Sequence, residues 1–171
     1  MFVLAQVLGI IALGTLAISF QKNDKKVLLK YQVFASMFFA LQYLCLNAIT
    51  GFLMNIITII RNLIFRKYNE KVPKIYLILL IIAILVIISI SYNGPISLLP
   101  AISVILYSVA VWQNNMKVTR FLEVISSILF IIYNMNVLAI SGIVSSIIEL
   151  LSTLIAIYRF DIKKTNKYNN E

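Results

Sequence analysis

The feature of this sequence that most restricts its fold is a series of seven long apolar runs separated by short connections. The runs cover residues 2–20, 31–48, 51–66, 75–92, 96–112, 120–137 and 141–159. A helix of roughly 20 apolar residues crosses the hydrocarbon core of a bilayer. Apolar residues make up 61% of the 171 positions and charged residues 12%, whereas soluble domains average about 45–50% and about 25%. We therefore expect an all-α integral membrane protein with seven transmembrane helices.

The basic residues indicate how such a chain is oriented. All fifteen Lys and Arg residues fall at the first, third and fifth connections or at the C-terminal end. The other connections, LNAITG, SYNGPIS and NVLAISG, carry no charge. Because basic residues gather on the cytoplasmic side, we expect the N-terminus outside and the C-terminus in the cytoplasm. The first run is too long for a signal peptide and no basic segment precedes it, so we expect it to stay in the mature protein.

The residue types present exclude several classes of function. The net charge of +9 comes from connections in which basic residues set topology, so no nucleic-acid partner is expected. The sequence has no His, and its single Cys, Cys45, lies in an apolar run, so no metal, cofactor or disulfide is expected. A membrane enzyme would need a nucleophile, a metal cluster or paired carboxylates, and one central acid supplies none of these. The protein is therefore expected not to be an enzyme.

The two ends of the sequence resemble each other, which indicates an internal repeat. Three pairs of segments align: SFQKNDKK (19–26) with VWQNNMKV (111–118), FFALQY (38–43) with LFIIYN (129–134), and ITGFLMNIITIIRNL (49–63) with ISGIVSSIIELLSTL (140–154). The last pair aligns Gly51 with Gly142, and the run at 75–92 has no counterpart.

These features predict a 3+1+3 arrangement, in which two parallel three-helix repeats flank a linker helix. Three spans end on the opposite side of the membrane, so a fourth is needed before the second repeat can enter from the same side as the first. The predicted units are a first bundle at 1–68, a linker helix at 69–94, a second bundle at 95–160 and a polar cytoplasmic tail at 161–171.

Glu149 is placed by the sequence in the middle of a span, where a charged side chain costs roughly 2.5 to 3.5 kcal/mol. A polar stripe follows the same helix face: Ser145, Ser146, Ser152 and Thr153. The repeat aligns Thr58 with Glu149. It also aligns Asn55 with Ser146. We interpret Glu149 as a group that binds an amine, a hydroxyl or a cation of a substrate, or a coupling proton. The alternative is a neutral carboxyl group hydrogen-bonded to a neighbouring helix.

A second set of polar side chains can bind a polyol or an amide without burying a charge. The set consists of Gln42, Tyr43, Asn55, Tyr133 and Asn134. The alternative is that Asn and Gln hold helices together and that Tyr anchors the span ends at the interface. Arg61 lies one turn from the end of its span, and we expect it to snorkel to the headgroups or to cap the helix. The alternative is that its side chain reaches inward and pairs with Glu149, which requires the two helices to face each other.

The sequence resembles the YgjV family of bacterial inner-membrane proteins over nearly its whole length. The resemblance rests on IIRNLIFRK (59–67), SLLPAISVILYSVAVW (97–112), IIYN (131–134), ISG (140–142) and YRF (158–160). It implies a multi-pass protein of the bacterial cytoplasmic membrane and no particular activity.

A more distant resemblance is to the SWEET and SemiSWEET sugar transporters of the PQ-loop superfamily. It rests on the 3+1+3 plan, on ISFQ (18–21) at the end of the first span, and on Asn55 in the third. The resemblance implies that Asn55 and its partner Ser146 face a substrate pocket. It also implies that Phe39 and Phe130 line that pocket.

The Pro-Gln pair that names this superfamily is absent. Two dipeptides keep the Gln and lack the Pro: Phe20-Gln21 and Trp112-Gln113. That Pro serves as a hinge in the superfamily, and the nearest substitute here is Pro100. We expect Pro100 to remove a helix hydrogen bond early in the fifth span and to kink it.

The favoured function is transport of a small polar solute, sugar-like or another metabolite, by alternating access around a pocket at the membrane midplane. The alternative is a non-transporting receptor, scaffold or assembly factor with a SWEET-like fold, because a fold does not fix a function. The expected partners are the lipid bilayer and a small polar solute. The sequence leaves open whether the protein acts alone or as a homodimer.

Overall fold

The structure, a computed structural model, describes residues 1–20, 25–68, 72–113 and 115–162. Within these residues the chain forms seven α-helices and no strand. The helices are α1 (Phe2–Phe20), α2 (Lys25–Cys45), α3 (Ile49–Tyr68), α4 (Lys74–Ser91), α5 (Leu98–Trp112), α6 (Met116–Asn136) and α7 (Ile140–Ala156). A 3-10 turn, Pro95–Ser97, precedes α5, and a π-helix, Ile157–Ile162, follows α7. The expected all-α fold with seven helices is confirmed.

Helix lengths agree with a membrane protein. Among the described residues, four segments are long and apolar enough to cross a membrane: Ile49–Tyr68, Lys74–Ser91, Pro95–Trp112 and Lys117–Asn136. The apolar segments Phe2–Leu16 and Ile140–Ala156 are shorter. The second predicted span is displaced, since α2 begins at Lys25 instead of residue 31 and ends at Cys45. Lys and Leu are good helix formers, and nothing between residues 25 and 31 breaks a helix. The helix therefore extends through the lysines that the sequence analysis assigned to the first connection.

The outer surface of α4 shows what solvent the helices require. Five large apolar side chains along it are each about half exposed: Ile78, Leu79, Ile82, Leu85 and Val86. A continuous apolar surface of this kind is stable against hydrocarbon and unstable against water. The opposite side of α4 packs its buried Leu80 and Ile84 into a core with Met54, Phe65 and Val104.

The helices pack most closely with their neighbours in the chain. α1 contacts α2, α2 contacts α3, α5 contacts α6, and α6 contacts α7. α4 lies against α3 and α5, and two further contacts, α1 with α7 and α3 with α5, close the bundle. We call the end at which α1, α3 and α5 finish the basic end, because the Lys and Arg residues of the sequence gather there. The opposite end is the uncharged end.

Two equivalent turns lie at the uncharged end, between α2 and α3 and between α6 and α7. Asn47 and Leu138, which are 91 residues apart, both have a positive φ, of 59° and 55°. The amide of Ala48 donates to the carbonyl of Tyr43, and the amide of Ala139 donates in the same way to that of Asn134. This is the Schellman pattern of a helix C-terminus, in which one residue adopts the left-handed conformation. The aligned sequences therefore form the same backbone turn in both halves.

Pro100 does not interrupt a helix. It is the third residue of α5, in the first turn, where amide groups have no partner within the helix. The kink expected from the sequence is therefore not required at this position, because the missing N–H removes no interior hydrogen bond of α5.

The close approach of α1 to α7 depends on Gly9. A methyl group added at Gly9 would overlap Ser141 Oγ and would lie 2.6 Å from Gln42 Oε1. A methyl group added at Gly14, in the same helix, would meet no heavy atom of the described residues within 4 Å. Only the first of these glycines is needed for packing.

Exchanging the residue types of the two turns is expected to have opposite effects on stability. Asn tolerates the left-handed conformation, whereas Leu pays roughly 1–2 kcal/mol for it. Leu138→Asn should therefore raise the free energy of unfolding by about 1 kcal/mol, and Asn47→Leu should lower it by a similar amount. Leu138 is largely exposed, so little packing is lost. Thermal unfolding of the purified protein in detergent measures both. A stabilised Asn47→Leu variant would contradict this account of the turns.

Gly9→Ala is expected to separate α1 from α7 and to destabilise the protein by about 1–3 kcal/mol, the usual cost of overpacking. Gly14→Ala is the matched control, which should leave stability unchanged or improve it by about 0.5–1 kcal/mol. Both are measured by the same thermal unfolding. Equal melting temperatures for the two variants would mean that α1 does not approach α7 in this way.

Candidate functional site

A cavity of about 120 Å³ lies inside the bundle, nearer the basic end than the uncharged end. Every helix except α4 contributes to its wall. The lining residues are Leu16, Gln32, Thr58, Arg61, Asn62, Val104, Tyr107, Glu123, Ser126, Ser127, Phe130 and Glu149. A cavity of this size has room for several water molecules or one small solute, and drug-sized pockets are larger, at about 300–1,000 Å³.

Helical spacing brings the polar lining residues onto single faces of their helices. On α3, Thr58, Arg61 and Asn62 are spaced by three and four residues. On α6, Glu123 and Ser127 are four residues apart and lie on the face that also carries Phe130. Each of these helices therefore presents a polar stripe to the cavity and apolar side chains elsewhere.

Arg61 is buried in the wall of the cavity and is 2% exposed. Its Nε and Nη2 atoms donate to Asn62 Oδ1 at 3.1 and 3.0 Å. Its guanidinium carbon lies 4.6 Å from the centre of the Tyr107 ring, in a cation–π contact. The prediction that Arg61 snorkels to the headgroups is wrong, because Asn62 and Tyr107 hold the side chain inside the protein.

Glu149 reaches the same cavity from α7. Its carboxyl group makes no hydrogen bond to any residue that the structure describes, and it shares the cavity wall with Glu123 and Arg61. No ion pair joins Arg61 to either carboxylate; the one ion pair within the described ranges links Arg120 to Asp161. Among its described lining residues, the cavity therefore has one basic and two acidic side chains with no ion pair between them.

Glu123 lies between this cavity and a second space. It interacts with the hydroxyl of Thr153 and with the charge of Arg120. A cleft of about 190 Å³ between α6 and α7 shares Glu123 and Glu149 with the central cavity and extends to Thr119 and Arg120. The two carboxylates thus separate the interior from a cleft that leads towards the basic end.

At the cleft's outer margin, Arg120 Nη1 donates to Asp161 Oδ1 at 2.7 Å. This ion pair joins α6 to the π-helix after α7. Both side chains are only slightly exposed, so the pair is less screened by solvent than a surface pair.

Towards the uncharged end, a network of buried hydrogen bonds closes the bundle. Gln42 Nε2 donates to Ser141 Oγ at 2.8 Å. The Tyr43 hydroxyl donates to Asn134 Oδ1. The amide of Gly51 donates to the Tyr133 hydroxyl at 2.9 Å. Each bond joins one half of the sequence to the other.

Beyond the network, a depression of about 570 Å³ lies at the uncharged end. Residues of the three connections there form its wall, and Tyr133 of the network forms part of it. The network therefore separates a space at the uncharged end from the central cavity.

Three of the residues predicted for the site line the central cavity: Glu149, Thr58 and Phe130. The Thr58 hydroxyl also donates to the carbonyl of Met54, one turn earlier. The ring of Phe130 packs against the core around Met54 and Val104.

Six predicted residues lie outside the cavity lining. Gln42, Tyr133 and Asn134 belong to the network, and Ser146 Oγ accepts from Asn134 Nδ2 at 3.4 Å. Phe39 packs beside the two tyrosines of the network. Asn55 is not on the cavity wall, because its Nδ2 turns back to donate to the carbonyl of Gly51 at 3.0 Å.

Sequence reasoning missed six polar residues of the lining: Gln32, Asn62, Tyr107, Glu123, Ser126 and Ser127. Two signals were available for three of them. Gln32 and Glu123 are 91 residues apart, as are the aligned positions Thr58 and Glu149. Asn62 follows Thr58 by four residues, the spacing of one helix face.

The Gln residue retained from the Pro-Gln pair has a structural role in the second half. Gln113 Nε2 donates to the carbonyl of Asn115 at 2.9 Å, and Gln113 Oε1 accepts from the Asn115 amide at 3.1 Å. Asn115 in turn caps α6 by accepting from the amide of Lys117. Gln113 therefore shapes the connection between α5 and α6. Its counterpart Gln21 lies outside the described residues.

Comparison with known proteins places this geometry in a family. No curated protein and no solved structure matches the chain. The family model Imp-YgjV, described as a bacterial inner membrane protein, matches residues 3–164. The match spans nearly the whole chain and includes every residue that lines the central cavity. This chain therefore belongs to the Imp-YgjV family of bacterial inner membrane proteins.

Proposed function

We propose that this protein carries a small polar solute across the bacterial cytoplasmic membrane by alternating access, with the central cavity as its binding site. The observation that carries the proposal is the position of Arg61, Glu123 and Glu149 around one internal space. Intramembrane charges are costly and usually mark the path of a substrate or an ion. A protein that only needed stability would gain nothing from three ionisable side chains there.

The helix contacts support the 3+1+3 plan inferred from the sequence. Close packing within α1–α2–α3 and within α5–α6–α7 is what two three-helix units would give, and α4 packs mainly against α3 and α5. The contact of α1 with α7 corresponds to that of α5 with α3, as expected for repeats related by a two-fold axis along the membrane normal. The distant sequence resemblance to SWEET transporters agrees with this plan. The units at 1–68, 69–94 and 95–160 follow from it.

Alternating access needs a barrier on each side of the site in turn. The hydrogen bonds of Gln42, Tyr43 and Tyr133 form the barrier at the uncharged end, which we assign to the outside. The cleft beside Glu123 and Glu149 leads from the site towards the basic, cytoplasmic end. Rocking of the two three-helix units around the cavity would break the network as the cleft closes.

The rival proposal is a receptor, scaffold or assembly factor in which the same cavity senses a solute or only stabilises the bundle. Both proposals describe a non-enzymatic membrane protein. They differ in whether solute crosses the membrane, and this is what an uptake experiment measures.

Substitution of the ionisable residues of the cavity is expected to reduce uptake strongly. Proteoliposomes containing the wild-type protein are supplied with a broad metabolite mixture, and the solutes taken up are read by mass spectrometry. Loss of a charge-assisted hydrogen bond costs about 1.5–3 kcal/mol, so Arg61→Gln and Glu149→Gln should each reduce uptake by about 10- to 100-fold.

Arg66→Gln is the matched control, because Arg66 is exposed five residues after Arg61 in the same helix, and its uptake should equal that of the wild type. Asn55→Ala should also retain uptake, since Asn55 is not on the cavity wall. If liposomes containing folded, monodisperse wild-type protein take up no solute, the transport proposal is contradicted and the receptor or scaffold proposal is favoured.

The proposed orientation predicts which connections are reached from outside the cell. In a Cys45→Ser background, Asn93→Cys at the uncharged end should react with a membrane-impermeant maleimide in intact spheroplasts. Lys117→Cys at the basic end should react only after the membrane is permeabilised. Both positions are exposed, so access to the reagent depends on the side of the membrane. The reverse labelling pattern would invert the topology.

A further inference from the structure

The charges around the central cavity are distributed unequally between the two halves of the sequence. The first half contributes Arg61 together with the neutral side chains of Gln32, Thr58 and Asn62. The second half contributes both carboxylates. Residues at aligned positions differ in kind: Thr58 corresponds to Glu149, and Arg61 corresponds to Ser152. A nearly symmetric frame thus encloses a space with a positive wall on α3 and a negative wall on α6 and α7.

The charges on the two walls do not neutralise each other directly. Arg61 is held by the neutral groups of Asn62 and Tyr107, and no ion pair joins it to Glu149 in the described part of the chain. Glu123 has a basic neighbour, Arg120, on the side of the cleft. Arg61 and Glu149 are consequently the pair that a bound molecule can bridge. Each has unused hydrogen-bonding capacity towards the cavity, since a guanidinium carries five N–H donors and a carboxylate two acceptor oxygens.

We infer that the central cavity recognises a small zwitterion, whose anionic end binds Arg61 and whose ammonium end binds Glu149. A carboxylate suits Arg61 because a guanidinium binds it through two parallel hydrogen bonds. An ammonium group suits Glu149, which has an unused carboxylate. The cavity volume of about 120 Å³ restricts the solute to the size of a small amino acid.

Other classes of solute fit the cavity less well. A neutral polyol would leave both charges without an ionic partner in a low-dielectric interior, where that is costly. A cation without an anionic group would be attracted by Glu149 and repelled by Arg61. A simple anion would be attracted by Arg61 and repelled by Glu149. Only a molecule that carries both charges uses both walls.

This inference rests on the proposed function for the site but not on movement of solute, so binding is measured separately from uptake. Isothermal titration calorimetry of the purified wild-type protein in detergent compares solutes of similar size. Glycine, alanine and β-alanine are the zwitterions, 2-aminopropane carries only the cation, propionate only the anion, and 1,2-propanediol is neutral. At least one zwitterion is expected to bind about ten times more tightly than each of the other three, because each lacks one charge-assisted contact.

Two variants show which wall binds which end. In Arg61→Gln, the zwitterion should lose about tenfold in affinity or more, while 2-aminopropane should bind at least as well as it does to the wild type. In Glu149→Gln, the zwitterion should lose affinity and propionate should not. Arg66→Gln is the matched control and should bind the whole panel as the wild type does. If a cavity variant fails to fold, the comparison of solutes on the wild-type protein still decides the question.

The inference is overturned if 1,2-propanediol, 2-aminopropane or propionate binds the wild type as tightly as the best zwitterion, or if no zwitterion binds. If the liposome experiment then shows uptake of a solute that is not a zwitterion, the transport proposal is supported although this inference is wrong. Tight zwitterion binding without uptake would uphold this inference and exclude transport.

Discussion

Hydrocarbon offers no hydrogen-bonding partner, and this constraint determines where every polar group of the protein lies. Some hydroxyl groups are satisfied within their own helix, as Ser108 is by the carbonyl of Val104. Others join two helices, as Ser103 and Ser126 do at 2.7 Å between α5 and α6. The carboxyl group of Glu149 makes neither kind of hydrogen bond to the described residues, and it faces the central cavity instead. Two buried amide oxygens, those of Gln6 and Gln42, are also without a partner among the described residues, but neither residue lines the cavity. An acidic group that faces a cavity identifies a space that solute or solvent can occupy.

The two halves of the sequence share a backbone turn and differ in the side chains around the cavity. Asn47 and Leu138 lie in equivalent turns, with equivalent amide bonds at Ala48 and Ala139. Aligned positions on the cavity wall carry different residue types, as Thr58 and Glu149 do. Different lining residues on a similar backbone give the cavity two chemically unlike sides. The packing between the helices does not have to change for this.

Much of the fold was accessible from the sequence, because hydropathy and helix length are local properties. These properties predicted the seven helices and the uncharged turns. They did not predict the start of α2, because a group of lysines is typical of a connection between spans. The placement of Glu149 was also predictable, because a charge within an apolar run must face a polar space. Spacing alone gives the residues that share a helix face but not the neighbour that the face meets.

That limit explains the errors in the site. Asn55 was assigned to the pocket, yet its amide bonds to Gly51 one turn earlier. Glu123 was overlooked because it lies near the beginning of its run, three residues after Arg120, where charges normally belong to the membrane surface. Arg61 was assigned to the headgroups, and its three-dimensional contacts with Asn62 and Tyr107 explain why it stays inside.

The hydrogen bond between Tyr43 and Asn134 has a consequence for how the two halves can associate. These residues occupy aligned positions, so two copies of the first half would bring a phenol against a phenol, and two copies of the second an amide against an amide. Either like pair could also form a hydrogen bond, since a phenol and an amide both donate and accept; the bond observed here joins unlike partners. Joining both halves in one polypeptide fixes their ratio at one to one and gives each half this partner at a high effective concentration. The two aligned positions can therefore carry different residue types, because each needs to match only the other.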